Sequence, residues 1–237
     1  MKFPPTAHEA RLSEIFSSLQ GEGTRLGERH LFVRFEECHM HCKYCDELDK
    51  IGSAISLDET VSRIAALDKE EGPHAFVSLT GGEPLLYLAF LKPLMERLKA
   101  KGFRLYLETS GVLWKALEEV IHLCDVVAMD MKPSSVTGEK NFYEEHEKFL
   151  NIAKAKETFI KIVLSHEINR AEFERLTGII EKVDPALPLI LQPISGEIEG
   201  HEDPKLMRLL EELQRLASKR LRDVRIVPRF HKILKIK

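Results

Sequence analysis

The sequence predicts an α/β fold with a mostly parallel sheet, either open or curved into a full or partial barrel. Two observations carry that expectation. Six short β-like runs alternate with longer segments of helical period, and each run is followed by a polar or glycine-bearing motif. A third observation sets the scale: 237 residues, 43% of them hydrophobic, suffice for one sizeable core, and no internal repeat or Gly/Ser-rich linker interrupts them. A single domain over residues 1–237 is therefore expected.

The first run, residues 30–36, leads directly into Cys38, Cys42 and Cys45, and a helical stretch follows at 57–66. The second, 75–79, ends in Thr80-Gly81-Gly82-Glu83-Pro84. The helix expected over 85–101 carries Leu91, Leu94, Met95 and Leu98 at spacings of three and four, the stripe a helix buries on a sheet. Run 104–108 precedes Thr109-Ser110-Gly111 and a helix at 113–122; run 126–131 precedes Lys132-Pro133-Ser134-Ser135 and a helix at 141–154. Runs 159–164 and 187–191 are followed by Ser165-His166 and Gln192-Pro193, with helices at 171–183 and 204–222. In a parallel α/β architecture the carboxyl ends of the strands share one rim, so these motifs are expected to converge, although any one of them also reads as an ordinary polar loop.

A net charge of −3 gives no global basic field, so neither nucleic acid nor an anionic membrane is an expected partner. The basic residues Lys232, Lys235 and Lys237 form no patch interleaved with aromatics. Met1-Lys2-Phe3-Pro4-Pro5 lacks the apolar run of a signal peptide, and no segment approaches the roughly 20 apolar residues that span a bilayer, so a cytoplasmic protein is expected. Cys124 lies in the apolar stretch Val120-Ile121-His122-Leu123 and reads as a buried thiol.

Cys38-x-x-x-Cys42-x-x-Cys45 places three thiols on one short loop. A four-iron cluster normally takes four cysteines, so three leave one iron open to a non-protein ligand. The competing reading is a closed Cys3His zinc site using His39 or His41, but zinc sites usually draw on two separated pairs and no second pair exists.

This spacing, with Tyr44 before the last cysteine, resembles the signature of the radical S-adenosylmethionine (SAM) superfamily. Thr80-Gly81-Gly82-Glu83-Pro84 is similar to the superfamily element that holds the SAM amino group, where glycines admit close backbone approach and Glu83 accepts from an ammonium. The resemblance narrows further to the 7-carboxy-7-deazaguanine synthase family. It rests on residues 14–23, Phe32-Val33-Arg34-Phe35, Glu108-Thr109-Ser110-Gly111, Asp130 to Ser135, Leu191-Gln192-Pro193 and 224–232. It implies a partial (β/α) barrel of about six mostly parallel strands. It also implies a lyase that converts 6-carboxy-5,6,7,8-tetrahydropterin to 7-carboxy-7-deazaguanine with loss of ammonia, on the path to queuosine and other deazapurines. The implied cofactors are a 4Fe-4S cluster, SAM and Mg²⁺; the implied partners are an electron donor such as flavodoxin and a second copy in a homodimer. In that family a 5'-deoxyadenosyl radical takes hydrogen from C6 of the pterin, the ring contracts, and SAM is regenerated.

Carried over residue by residue, the resemblance implies that Cys38, Cys42 and Cys45 hold the cluster. Tyr44, Gly82, Glu83, Ser110, Lys132, Ser134, Ser135 and Gln192 fall at SAM-contacting positions. Leu19, Gln20, Gly21, Glu22, Arg34, Thr80, His231 and the terminal carboxylate of Lys237 fall at substrate positions. Arg34 suits a bidentate pair with the substrate carboxylate, which a lysine does not match; its plain alternative is a surface ion pair with Glu36 or Glu37. Lys132 is alternatively a solvated loop charge, His231 a partly exposed histidine, and Lys235-Ile236-Lys237 a frayed tail. Where the family has Thr or Ser two positions after the last cysteine as a magnesium ligand, this chain has Glu47, a harder and longer oxygen donor, with Asp46 as the fallback. The alternatives outside the family are another radical SAM enzyme, such as a glycyl-radical activase acting on a protein, and a non-catalytic zinc-binding domain.

Overall fold

The computed structural model describes residues 6–47, 50–194 and 203–236. The chain runs β1 (Glu9–Leu19), β2 (Arg29–Phe35), β3 (Ser53–Ser56), α1 (Leu57–Glu71), β4 (Phe76–Gly81), α2 (Leu88–Ala100), β5 (Leu105–Thr109), α3 (Trp114–Val120) and β6 (Val126–Asp130). It continues through α4 (Ser134–Thr137), α5 (Tyr143–Ala153), β7 (Glu157–Leu164), α6 (Arg170–Val183), β8 (Leu189–Pro193), α7 (Pro204–Ala217), β9 (Val224–Ile226) and α8 (Phe230–Leu234). Among the described residues these strands form one open sheet in the order β3-β1-β2-β4-β5-β6-β7-β8-β9. From β2 to β9 every pairing is parallel; β1 runs antiparallel to both β2 and β3.

The helices α1, α2, α3, α5, α6 and α7 each pack one stripe on the outer face of this sheet. Phe90, Leu91, Leu94, Met95 and Leu98 of α2 are all fully buried there, and α1, α2, α3, α5 and α6 follow one another around the sheet as neighbours. Helix starts are capped in the expected chemistry: Ser56 accepts from Glu59 N (3.1 Å), Asn169 from Glu172 N (3.2 Å) and Asp203 from Lys205 N (2.9 Å). The helix expected over 85–101 is split, because Pro84 opens a short 3-10 turn, Pro84–Tyr87, before α2 begins.

Strand alternation then sorts the residues. Leu31, Val33, Phe35, Val77, Leu79, Leu105, Leu107, Val127, Met129, Ile160, Ile162, Leu189 and Leu191 point toward the helices and form the main core. Their neighbours point the other way. Phe76, Tyr106, Val126, Ala128, Phe159 and Ile190 make a second, smaller apolar cluster on the inner face. One step further toward the carboxyl ends of the strands, the same alternation presents Arg34, Thr80, Glu108, Asp130, Lys161 and Gln192, a row of polar side chains above an apolar floor. Among the described residues no helix is long and apolar enough to cross a membrane.

Candidate active site

Above that row lies a cavity of about 220 Å³. The inner-face side chains Arg34, Thr80, Glu108, Asp130 and Lys161 line it from below, the cysteine loop from one side, and Gln20, Gly21, Glu22, Arg229 and His231 from the other.

The three cysteines open into the same cavity and are free thiols. Burial pushes Cys38 up to about 12 and Cys42 up to about 11, so both are protonated in the absence of a metal, and a metal bound there would displace the protons. Met40 N donates to Cys38 Sγ (3.4 Å), a contact suited to a thiolate. Among the described residues no three His, Cys, Asp or Glu side chains converge where one metal ion would sit. Three thiols on one loop suit three corners of a cluster and leave its fourth iron open.

The loop is placed by the glycine pair at the end of β4. Gly82 N donates to Phe35 O and Glu83 N to Glu37 O, both 2.8 Å, and a Cβ on Gly82 would lie 2.2 Å from Glu37 O. Gly81 has φ +111°, a left-handed conformation that side chains disfavour. The far end of the loop is tied by Lys43 N donating to Thr137 O (3.0 Å).

Opposite the cysteines, Gln20 anchors the turn after β1. Its Nε2 donates to Glu108 Oε1 (2.9 Å) and its Oε1 accepts from Glu22 N (3.1 Å). Glu22 pairs with Lys161 and lies 3.4 Å from Arg229 Nε. Burial opposes its ionisation, but Lys161 and Arg229 outweigh burial and hold the carboxyl at about 2. Glu108 differs: it accepts from Thr80 Oγ1 (2.7 Å), and burial together with the nearby Glu22 charge raises its pKa. Two neighbouring carboxyls are therefore shifted in opposite directions from the ordinary value.

Comparison with known proteins fits this geometry. Residues 32–178 match the family model described as the radical SAM superfamily. The 7-carboxy-7-deazaguanine synthase of Geobacter sulfurreducens is 36% identical, covering 95% of this chain and 97% of that protein; that of Methanopyrus kandleri is 34% identical, covering 93% and 92%. The chain belongs to the 7-carboxy-7-deazaguanine synthase family of the radical SAM superfamily. The crystal structure of QueE from Escherichia coli shares the fold, with a TM-score of 0.65 at 22% identity over 94% of this chain and 95% of that one. The partial-barrel expectation thus stands, with seven parallel strands rather than about six and an antiparallel pair at one edge.

Within this family member the remaining expected site residues fall into three groups. Leu19, Tyr44, Gly82, Ser110, Lys132 and Glu47 line the cavity. Lys132 is no solvated charge: burial opposes its ammonium, but Asp130 at 2.8 Å and Tyr44 hold its pKa well above the usual value. His231 packs against Gly21, whose Cβ would lie 2.2 Å from His231 Nδ1, and Phe230 N donates to Gly21 O (2.9 Å).

The second group stands behind the wall. Glu83 is fully buried and accepts from Thr109 Oγ1 (2.9 Å), Ser110 N (2.8 Å) and Ser110 Oγ (2.5 Å), bracing the end of β5 against the end of β4. Gln192, also fully buried, donates to Glu22 Oε2 and accepts from Arg229 Nε, both at 3.3 Å, once its amide is oriented to suit both neighbours. Ser134 and Ser135 give their amides and hydroxyls to the Glu172 carboxylate at 2.5–3.0 Å and line a separate depression with Tyr143, Asn169 and Arg175. The third group is Lys237 alone, which lies outside the described residues.

Arg34 does pair with a glutamate, but with Glu47 rather than Glu36 or Glu37; Glu36 pairs with Arg11 instead. Asp46 is taken by Arg229 Nη1 (2.9 Å) and Lys232 Nζ (3.3 Å). Four charged lining residues, Glu108, Asp130, Lys161 and Arg229, were not expected as site residues. A signal for Lys161 existed: it is the one charge inside the otherwise apolar run 159–164, on the face opposite Ile160 and Ile162.

Proposed function

We propose that the protein is a 7-carboxy-7-deazaguanine synthase, taking 6-carboxy-5,6,7,8-tetrahydropterin to 7-carboxy-7-deazaguanine with loss of ammonia for deazapurine biosynthesis. The observation that carries the reading is the convergence, in one cavity, of three free thiols, the Arg34 guanidinium and a pair of carboxyls shifted in opposite directions.

The residues divide the work. When bound through Cys38, Cys42 and Cys45, a 4Fe-4S cluster with SAM supplies the one-electron chemistry that removes a hydrogen atom from the substrate. Tyr44, Gly82, Ser110 and Lys132 form the wall nearest the cysteines, where SAM would lie, with Glu83, Ser134 and Ser135 supporting that wall and Gln192 supporting Glu22 and Arg229 on the opposite one. Arg34 anchors the substrate carboxylate. Glu22, kept ionised by Lys161 and Arg229, accepts from the amino and ring N–H groups of a pterin. Glu108, with its raised pKa, is the carboxyl of the pair suited to carry a proton, while Gln20 and Thr80 fix its orientation. Leu19 and Gly21 shape the turn that carries Gln20, and Gly21 leaves room for His231 to close over the ring. The aromatic floor of Phe32, Tyr106 and Phe159 excludes water from the ring's buried face. Glu47 would offer Mg²⁺ an oxygen. A cytoplasmic homodimer served by an electron donor such as flavodoxin completes the reading.

The test is anaerobic reconstitution with iron and sulfide, then reduction and incubation with SAM, Mg²⁺ and the carboxytetrahydropterin, followed by mass. Formation of 7-carboxy-7-deazaguanine that vanishes in Cys42→Ala supports the reading. Deoxyadenosine without deazaguanine would keep the superfamily chemistry and remove the substrate.

A further inference from the structure

The Arg34 guanidinium, assigned above to the substrate carboxylate, already holds a carboxylate. Glu47 reaches it from the loop that follows Cys45, and both side chains line the cavity. The Glu47 contact is made through Nη1 alone, and Arg34 Nε is buried without a hydrogen-bond partner. Glu14 Oε2 stands 4.0 Å from that nitrogen and the guanidinium carbon lies 5.4 Å from the centre of the Phe16 ring, so the guanidinium is held in place with part of its fork unused. A carboxylate arriving from the cavity can take two parallel N–H groups where Glu47 takes one, and a bidentate pair is the stronger. Among the described residues Glu47 has one other charged partner, Lys50, whose Nζ is 2.8 Å away and whose side chain is 40% exposed. The released carboxylate is a hard oxygen donor at the cavity wall, and a cation it binds would draw its remaining oxygens from water and substrate, as Mg²⁺ commonly does.

We propose that Glu47 occupies the substrate-carboxylate seat on Arg34, that the substrate's own carboxylate displaces it, and that the released Glu47 carboxylate then ligates a divalent cation, so that substrate and cation bind cooperatively. The inference rests on the reading of Arg34 as the carboxylate anchor. Exchange conserves charge at Arg34: one carboxylate leaves as another arrives, and the cation neutralises the one that left. Reciprocity follows, because whatever factor the cation adds to substrate affinity the substrate must add to cation affinity.

The experiment is calorimetric binding of 6-carboxytetrahydropterin to the cluster-loaded protein with SAM, with and without Mg²⁺, in wild type, Glu47→Gln and Arg34→Met. Wild type is expected to bind substrate about tenfold more tightly with Mg²⁺ present, a coupling of ordinary allosteric size. Glu47→Gln is expected to bind about tenfold more tightly than wild type in the absence of Mg²⁺, since the internal competitor is gone, and to lose the Mg²⁺ effect. A tetrahydropterin lacking the carboxylate is expected to bind both proteins alike. Unchanged or weaker binding by Glu47→Gln without Mg²⁺, or coupling that survives the substitution, overturns the exchange. Full-strength binding by Arg34→Met overturns the Arg34 assignment as well, which distinguishes failure of the anchor from failure of the exchange alone.

Discussion

Glu22 and Lys161 form a half-buried ion pair whose charge sets the polarity of the substrate end of the cavity. Taking Glu22 away leaves Lys161 with Asp130 at 3.4 Å, so the loss is that of a charged hydrogen bond, about 1.5–3 kcal/mol, rather than that of a stranded buried charge. Glu22→Gln is therefore expected to lower stability to urea by about that amount, whereas Glu22→Gln combined with Lys161→Met should recover most of it. The double variant should still fail to hold substrate, which separates the stability role from the binding role. Glu108 calls for a different readout. Its carboxyl is raised by burial first and by Glu22 second, with Lys161, Thr80 and Gln20 pulling it back, and Tyr106 faces it from its own strand. The protonated form therefore persists to higher pH than an ordinary glutamate allows. If it carries a required proton, kcat should fall as pH rises through that raised value, and Glu108→Gln should flatten this limb of the profile; an unchanged limb would assign it to another group.

At the scale of elements, the site depends on where strands end. The close pass of Gly82 against Glu37 O leaves no space for a side chain, so Gly82→Ala must move the cysteine loop or the end of β4. The expected outcome is a folded protein by circular dichroism whose iron and sulfide content after reconstitution falls well below that of wild type; full cluster content would show that the loop tolerates the shift. Much of this arrangement was legible in the sequence. The six parallel strands and their helices follow from β-branched and aromatic runs alternating with a three-to-four spacing, and the motifs after five of these strands sit at the cavity or directly behind it, while Ser165-His166 lies away from it with His166 exposed and paired to Asp203. Three strands were not legible, for physical reasons. In β1 the register with β2 shifts between Leu12 and Glu14, which breaks the period of two that marks a half-buried strand. Strands β3 and β9 are four and three residues long, too short for any periodicity. The role of Ser134 and Ser135 was also hidden, because their partner Glu172 lies 37 residues beyond Ser135 on α6 and nothing local reveals the contact.

For the whole molecule, two histidines make the fold sensitive to mild acid. Burial holds His30 and His146 at about 4, and both are fully buried. Above pH 6.5 each is neutral in the folded and unfolded chain alike. As pH falls below 6.5 the unfolded chain takes up the protons and the folded one does not, so stability is lost between pH 6.5 and about 4. The loss from His146 alone is about 3 kcal/mol by the usual conversion of a pKa difference. Urea midpoints should fall across this window, before the carboxylates titrate, and His146→Leu should make the fall shallower; an equally steep fall would place the acid sensitivity elsewhere.

The central claim is that the substrate ring sits between the cysteine loop and the Glu22 turn, with C6 facing the end where SAM would lie. Turnover of substrate carrying deuterium at C6 tests it most directly. Deuterium recovered at the 5' carbon of SAM or of deoxyadenosine is the predicted result, whereas product formed with the label lost only to solvent would contradict that placement.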